Sequence, residues 1–153
     1  MDAERNTLPT IAITMGDAAG VGPEIIVKAL AHAELYARCR PLVVGDAARL
    51  RQAAKLCGLS LDIAPVKGVG DARFQPGTVD CIDLGLIPQD LPFGRLSATA
   101  GDAAYRYIEK AVELAAAGEV GAILGSGLFI ALGRQPAERV VEVVQDRLRR
   151  RRR

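Results

Sequence analysis

The sequence predicts an α/β fold built on a parallel or mostly parallel sheet with flanking helices. Three observations lead there. Short apolar runs of strand character alternate with segments of helical periodicity, as parallel sheets require, because each strand needs a crossover to bring the chain back. Glycines follow three of these runs, at Gly16, Gly45 and Gly125. The core must be aliphatic and alanine-rich, because hydrophobic residues make up 50% of the chain, aromatics only 4%, and tryptophan is absent. A chain of 153 residues buries about two-thirds of its unfolded surface, enough for one domain.

The elements follow in order. Ile11–Met15 reads as a strand, and Pro23–Ala33 as a helix with Ile25, Ile26, Ala29 and Leu30 on one face. Leu42–Val44 is a short buried strand ended by Gly45. Asp46 is placed to cap a helix over Ala47–Leu56, and Gly58 is placed to stop it. Leu61–Ala64 and Val79–Ile82 are further strands, separated by a glycine-rich loop from Lys67 to Gly77. Residues 84–96, with Pro88 and Pro92, form an irregular crossing segment. The longest helix spans Ala100–Ala117, with Ala104, Ile108, Ala111, Val112 and Ala115 at helical spacing and Gly118 as its stop. Val120–Leu124 is the last strand before the pattern changes.

Residues 14–24, Thr-Met-Gly-Asp-Ala-Ala-Gly-Val-Gly-Pro-Glu, are the most informative stretch. A strand enters a loop with Gly16, Gly20 and Gly22, and Pro23 opens the next helix, where its fixed φ and missing N–H carry no penalty. Glu24 complements the positive end of that helix. The spacing G-x3-G-x-G-P-E matches neither the G-x-G-x-x-G dinucleotide fingerprint nor the G-x4-G-K-[ST] phosphate loop. Two readings stay open: a loop bordering a ligand cleft, or a structural turn in which glycines supply positive φ and close packing.

This stretch resembles the signature G-D-x-A-G-[IV]-G-P-E of the 4-hydroxythreonine-4-phosphate dehydrogenase family, within the wider isocitrate/isopropylmalate dehydrogenase-like group. The resemblance continues through Pro41–Asp46, Asp90–Ser97, Ala100–Tyr105 and Gly118–Ile123, so it covers about residues 8–123. The Asp90-Leu-Pro-Phe-Gly94 segment is most similar to the branch acting on 4-phospho-D-threonate and 4-phospho-D-erythronate. The resemblance implies an incomplete form of that group's fold and places Gly16, Asp17, Gly20 and Gly22 beside the cofactor, near the nicotinamide end of NAD. It also implies a divalent metal (zinc, magnesium, manganese or cobalt) and a small phosphorylated hydroxy-acid substrate. The alcohol is oxidised by NAD and the resulting keto acid decarboxylates, in pyridoxine biosynthesis or phospho-threonate catabolism, with homodimers building each site across an interface.

Two departures qualify this. Ala18 stands where the family usually has proline, which is expected to loosen the loop. After Ile123 the family continues into a Thr-Ala-Pro-(Leu/Ile)-Asn-Lys stretch and then histidine-bearing motifs that supply the metal ligands, whereas this chain reads Leu124-Gly-Ser-Gly-Leu-Phe-Ile-Ala-Leu-Gly133. The expected organisation is therefore an N-terminal α/β portion, 1–123, and a divergent tail, 124–153, with one amphipathic helix (Val140, Val141, Val144, Leu148) and an arginine-rich end. A truncated or frame-shifted gene, a deliberately shortened chain and an independent small domain are all open accounts of that tail. The sequence reads as a truncated family member, inactive as this chain. The alternative is a non-catalytic α/β module binding a nucleotide or a phosphorylated small molecule.

The other candidates carry less. The lone histidine, His32, falls at a predicted helix end, and no metal ligand is assigned. Gly125-Ser126-Gly127 offers backbone amides to a phosphate, although no basic residue follows before Arg134. Ser97, Thr99 and Asp102 mark a helix start. Cys39, Cys57 and Cys81 are widely spaced and lack a C-x-x-C pair, which suits free thiols in a reducing compartment. The net charge of +2 conceals an arginine-rich end: the seven residues Arg147–Arg153 carry +6, whereas the body to Asp146 has 14 basic against 18 acidic residues. That balance gives no reason to expect specific nucleic-acid binding. The polar N-terminus does not read as a secretory signal and no run approaches a membrane span, so the expectation is a cytoplasmic protein that self-associates.

Overall fold

The structure, a computed structural model, describes residues 8–125. Five strands, β1 (Thr10–Thr14), β2 (Arg40–Gly45), β3 (Asp62–Val66), β4 (Thr78–Asp83) and β5 (Ala122–Gly125), form one sheet in the order β3-β4-β2-β1-β5. Every pairing is parallel. The helices between them are α1 (Gly22–Leu30), α2 (Ala47–Leu56) and α3 (Ala98–Ala116). This is the expected α/β architecture. The tail from Ser126 onward, including the amphipathic helix read from Ala137, lies outside the described residues.

Topology decides which face each helix covers. The chain steps from β1 to β2 and from β2 past β4 to β3, then from β4 across the sheet to β5. Right-handed crossovers moving in opposite directions place their helices on opposite faces. Accordingly α1 and α2 pack on each other, while α3 lies against β1, β2 and β5. The central strands are therefore covered on both sides, which is why Leu42, Val43 and Val44 are all fully buried and show no alternation.

Two helix faces differ from the sequence reading. In α1 the buried stripe is Pro23, Ile26, Val27 and Leu30, whereas Ile25 is 54% exposed and Ala29 is exposed as well. The stripe at i, i+3, i+4 and i+7 starts from Pro23, whose ring is itself buried, and this turns Ile25 outward. In α3 the buried face is Ala100, Ala103, Ala104, Tyr107, Ala111 and Leu114, with Ile108, Val112 and Ala115 only half-buried. Small alanines let α3 approach the sheet closely, and Tyr107 is the large side chain that fills the gap. Helix α1 ends at Leu30, earlier than expected, and a 3-10 turn over Ala33–Ala37 follows.

The helix stops behave as the sequence suggests. Gly58 has φ +66° and Gly118 φ +75°. At each, the next residue's amide reaches back to the helix (Leu59 N to Ala54 O, Glu119 N to Leu114 O, both 2.9 Å), which satisfies terminal carbonyls.

The sheet's two edges are unlike each other. Strand β3 carries Pro65, which offers no N–H, and Asp62, paired with Arg73 at 3.6 Å. In β5 all four residues are exposed, Ile123 by 39% and Leu124 by 57%.

Strands β1 and β2 meet closely at their C-terminal ends. A Cβ added to Gly45 would lie 2.7 Å from Met15 Cβ and 3.0 Å from its sulfur. Gly45→Ala gains roughly 0.4–1 kcal/mol from reduced unfolded-state entropy but overpacks a filled core at a cost of about 1–3 kcal/mol. The expected outcome is net destabilisation, read as a lower urea midpoint with an unchanged slope.

Candidate functional site

The C-terminal ends of β1, β2 and β4 gather three segments: the Gly16–Gly22 loop, Gly45-Asp46, and the crossing segment 84–96. Open parallel sheets bind ligands at this end. Gly16 is buried with φ +71°, so its place in the loop needs glycine. Gly20 and Gly22 do not have positive φ, so left-handed freedom is required at one of the three glycines only. Gly20 closes a turn by donating to Asp17 O at 3.0 Å. Gly22 is buried and is the first residue of α1. Asp17 is half-buried, and its Oδ1 accepts the Ala19 amide at 2.9 Å. One carboxylate oxygen thus shapes its own loop. Glu24 sits in the first turn of α1, which has no side-chain cap, so the positive helix end faces this region with its amides unclaimed by side chains.

Asp46 does not cap α2 with its side chain. Its Oδ2 accepts the Tyr107 hydroxyl at 2.5 Å and its Oδ1 accepts the Ile87 amide at 2.9 Å. The cap comes instead from Asp83, whose Oδ1 accepts the Ala47 amide at 3.1 Å and also the Gly85 amide at 3.1 Å. Parallel register explains the exchange: Asp83 lies beside Gly45 on the neighbouring strand, within reach of the first amide of α2. Burial, and then the bond to the charged Asp46, push the Tyr107 hydroxyl well above the ordinary tyrosine range.

Arg49 is the least expected residue here. It is 2% exposed. Its Nε donates to Ala18 O at 2.7 Å, and its Nη1 donates to Leu91 O at 2.8 Å and to Gln52 Oε1 at 2.9 Å. The guanidinium carbon lies 3.4 Å from the centre of the Phe93 ring, a cation–π contact. Gln52 Nε2 holds Gln89 O at 2.9 Å, and Gly94 N donates to Ala19 O at 2.6 Å. The Ala18 loop, which lacks the family's proline, is therefore tied down from outside. Desolvation lowers the Arg49 pKa, and the charges of Asp17 and then Tyr107 work against that shift.

Sequence reasoning did not single out Arg49, Asp83 or Tyr107 for any role. A signal for Arg49 existed: it lies four residues before Ala53, on the buried stripe of α2 shared with Leu50. The other candidates sit as follows. Ser97 accepts the Ala100 amide at 3.2 Å and caps α3, and Asp102 pairs with Arg106 at 2.8 Å. His32 is exposed beyond the end of α1, and an open surface depression of about 440 Å³ lies there, lined by Ala29, His32, Glu34, Leu35 and Arg38. Gly125 ends β5 opposite Thr14; Ser126 and Gly127 lie outside the described residues. Cys39, Cys57 and Cys81 are free thiols. Among the described residues no group of three or more His, Cys, Asp or Glu side chains could hold a metal ion, and no helix is long and apolar enough to cross a membrane.

A parallel sheet whose central strands are covered on both faces, with a Gly-Asp loop leading from its first strand into an uncapped helix, defines an α/β domain with its candidate site at the C-terminal ends of the strands. Comparison with known proteins makes this specific. The family profile described as "Pyridoxal phosphate biosynthetic protein PdxA" matches residues 37–127, and the chain belongs to that family. It is 63% identical over 107 residues to the D-threonate 4-phosphate dehydrogenase of Cupriavidus necator, a match covering 70% of this chain and 32% of that protein. Among solved structures, it resembles a 4-hydroxythreonine-4-phosphate dehydrogenase from Burkholderia phymatum with TM-score 0.77 and 61% identity, covering 78% of this chain and 36% of that one. A 4-hydroxythreonine-4-phosphate dehydrogenase from Klebsiella pneumoniae gives TM-score 0.72 and 41% identity, covering 78% and 37%. The chain thus spans about a third of the length of these relatives.

The buried phenols give a testable pH dependence. Burial and the Asp80 charge raise Tyr36 from 10.0 to about 12, and Tyr107 is raised further. Folded-state values above unfolded ones mean stability fully present below the unfolded value, lost as pH climbs because only the unfolded groups ionise. Burial also raises the Cys81 thiol from 9.0, so stability measured by urea unfolding should begin to fall near pH 9 and fall more steeply above about pH 10, where unfolded tyrosines ionise. Tyr107→Phe should flatten that decline. At neutral pH the same substitution strips a donor from buried Asp46 and should cost about 1–3 kcal/mol.

Proposed function

We propose that this chain carries the cofactor-bordering portion of an NAD-dependent oxidoreductase acting on a phosphorylated hydroxy acid, of the D-threonate 4-phosphate or 4-hydroxythreonine 4-phosphate type. The observation that carries this reading is the Gly16–Gly22 loop, set at the C-terminal end of β1 and leading into the uncapped N-terminus of α1. Gly16, Asp17, Gly20 and Gly22 border the cleft. The buried left-handed Gly16 lets the backbone turn there, and the first-turn amides of α1 suit an anionic group of the dinucleotide or substrate. Bound NAD would supply the hydride acceptor. This chain's own residues shape the loop and set its charge, with Asp17 as the side chain facing the ligand. The relationship to the Cupriavidus necator enzyme supports the substrate class.

Metal chemistry does not fit the described residues, which offer no ligand cluster, and no step is assigned through a metal. That observation favours a second reading for the chain as it stands: a non-catalytic α/β module that binds a nucleotide or a phosphorylated small molecule weakly. We expect binding without turnover. The chain self-associates, as its exposed β5 edge invites; it works in the cytoplasm and engages neither nucleic acid specifically nor membranes. The α/β unit runs through β5 to Gly125, two residues past the 123/124 boundary read from the sequence.

Calorimetry with NAD, alongside NADH production from 4-phospho-D-threonate with manganese, magnesium or zinc, tests both readings. Weak NAD binding that weakens further in Asp17→Asn, without NADH formation, is the expected result. Turnover within about a hundredfold of a full-length relative, a barrier difference of only about 3 kcal/mol, would overturn the non-catalytic reading. Absence of any NAD or phosphate binding would overturn the cleft assignment.

A further inference from the structure

We propose that Arg49 is a positioning residue: a buried latch, anchored on α2, that sets the conformation of the Asp17–Gly20 loop by fastening it to a strap formed by residues 88–94. The ligand-binding consequence rests on the function proposed above; the latch itself does not.

The geometry is that of a three-way joint. Helix α2 is held by Asp83 at its first amide, so Arg49 projects from a fixed base. From there the guanidinium reaches one carbonyl in the loop, Ala18 O, and one in the strap, Leu91 O. Arginine suits this because its rigid fork presents several donors at once, and a lysine ammonium would have to reach both carbonyls from one flexible point. Phe93 of the strap closes over the guanidinium at 3.4 Å. Loop and strap then bond directly through Gly94 N and Ala19 O. Gly94 has φ +77°, a turn that brings its amide to the loop. Apart from that direct bond, the side-chain bridge between loop and strap among the described residues passes through Arg49.

The latch is incompletely satisfied. Among the described residues, Arg49 Nη2 is buried without a hydrogen-bond partner and the guanidinium has no carboxylate within ion-pair distance; Asp17 acts on it at longer range. A buried cation with a spare donor is held less tightly than a fully paired one. The strap should therefore open more readily than the sheet does, and its opening should release the loop.

Amide hydrogen exchange on the full chain tests this. In the wild type Gly94 should exchange faster than Val43 and Val44 in β2, reflecting local opening. Arg49→Met should speed exchange at Gly94 and Gly20 by about tenfold or more, the loss expected of a charge-assisted bond, while Val43 and Val44 keep their rates. Arg49→Lys should fall between the two, because charge is retained and the second carbonyl is not reached. Phe93→Leu, which removes only the stacking face, should loosen Gly94 in the same direction and provides a second variant should Arg49→Met fail to fold. Unchanged Gly94 exchange in these variants, or acceleration that merely tracks β2, would overturn the latch. Added NAD should slow Gly20 and Gly94 exchange in the wild type and have less effect in Arg49→Met. If NAD leaves the wild type unaffected, the cofactor assignment fails while the exchange changes in the variants still decide the latch.

Discussion

Asp46 receives the Tyr107 hydroxyl from one face of the sheet and the Ile87 amide from the segment crossing its C-terminal end. One buried carboxylate thereby joins β2, α3 and the crossing segment. A carboxylate at 2% exposure is costly to bury unless its oxygens are bonded, and both are. Its commitment has a structural consequence. Turned toward Tyr107 and Ile87, the Asp46 side chain does not cap its own helix, and Asp83 takes over that task from the adjacent strand. The base on which Arg49 stands is thus fixed by two aspartates that have divided the work between them.

The division shows where sequence reading succeeds and where it stops. Strand and helix alternation, the glycine stops at Gly58 and Gly118, and the Ser97 cap are local, because each depends on residues within about one turn, and all were legible. The Asp46 cap was local in form, with the right residue at the right position, and its side chain nevertheless turned away. What decided it was Tyr107, sixty-one positions further along the chain. Ile25 went astray for a related reason: the apolar pattern alone allowed two adjacent stripes, and the burial of Pro23 chose between them.

At the candidate site the loop itself was readable from its glycines, though not the way it is held. Gly16 needs its residue type for a backbone reason, and that reason is visible in one dimension. Arg49 acts through carbonyls at Ala18 and Leu91, and carbonyls leave no mark on residue identity. Alanine in place of the family's proline reads as a loosened loop. In the structure the restraint is present but comes from a neighbouring helix, so stiffness lost in the covalent chain is restored by noncovalent contacts.

The contrast between the two sheet borders gives the molecule a polarity. On the β3 side, Pro65 withholds a donor and the Asp62–Arg73 pair adds charge, so an incoming strand finds a poor template. On the β5 side, four exposed residues with Ile123 and Leu124 among them offer a receptive one. Extension of this sheet by any further strand is therefore vectorial: it proceeds outward from β5, and the opposite border acts as a terminus.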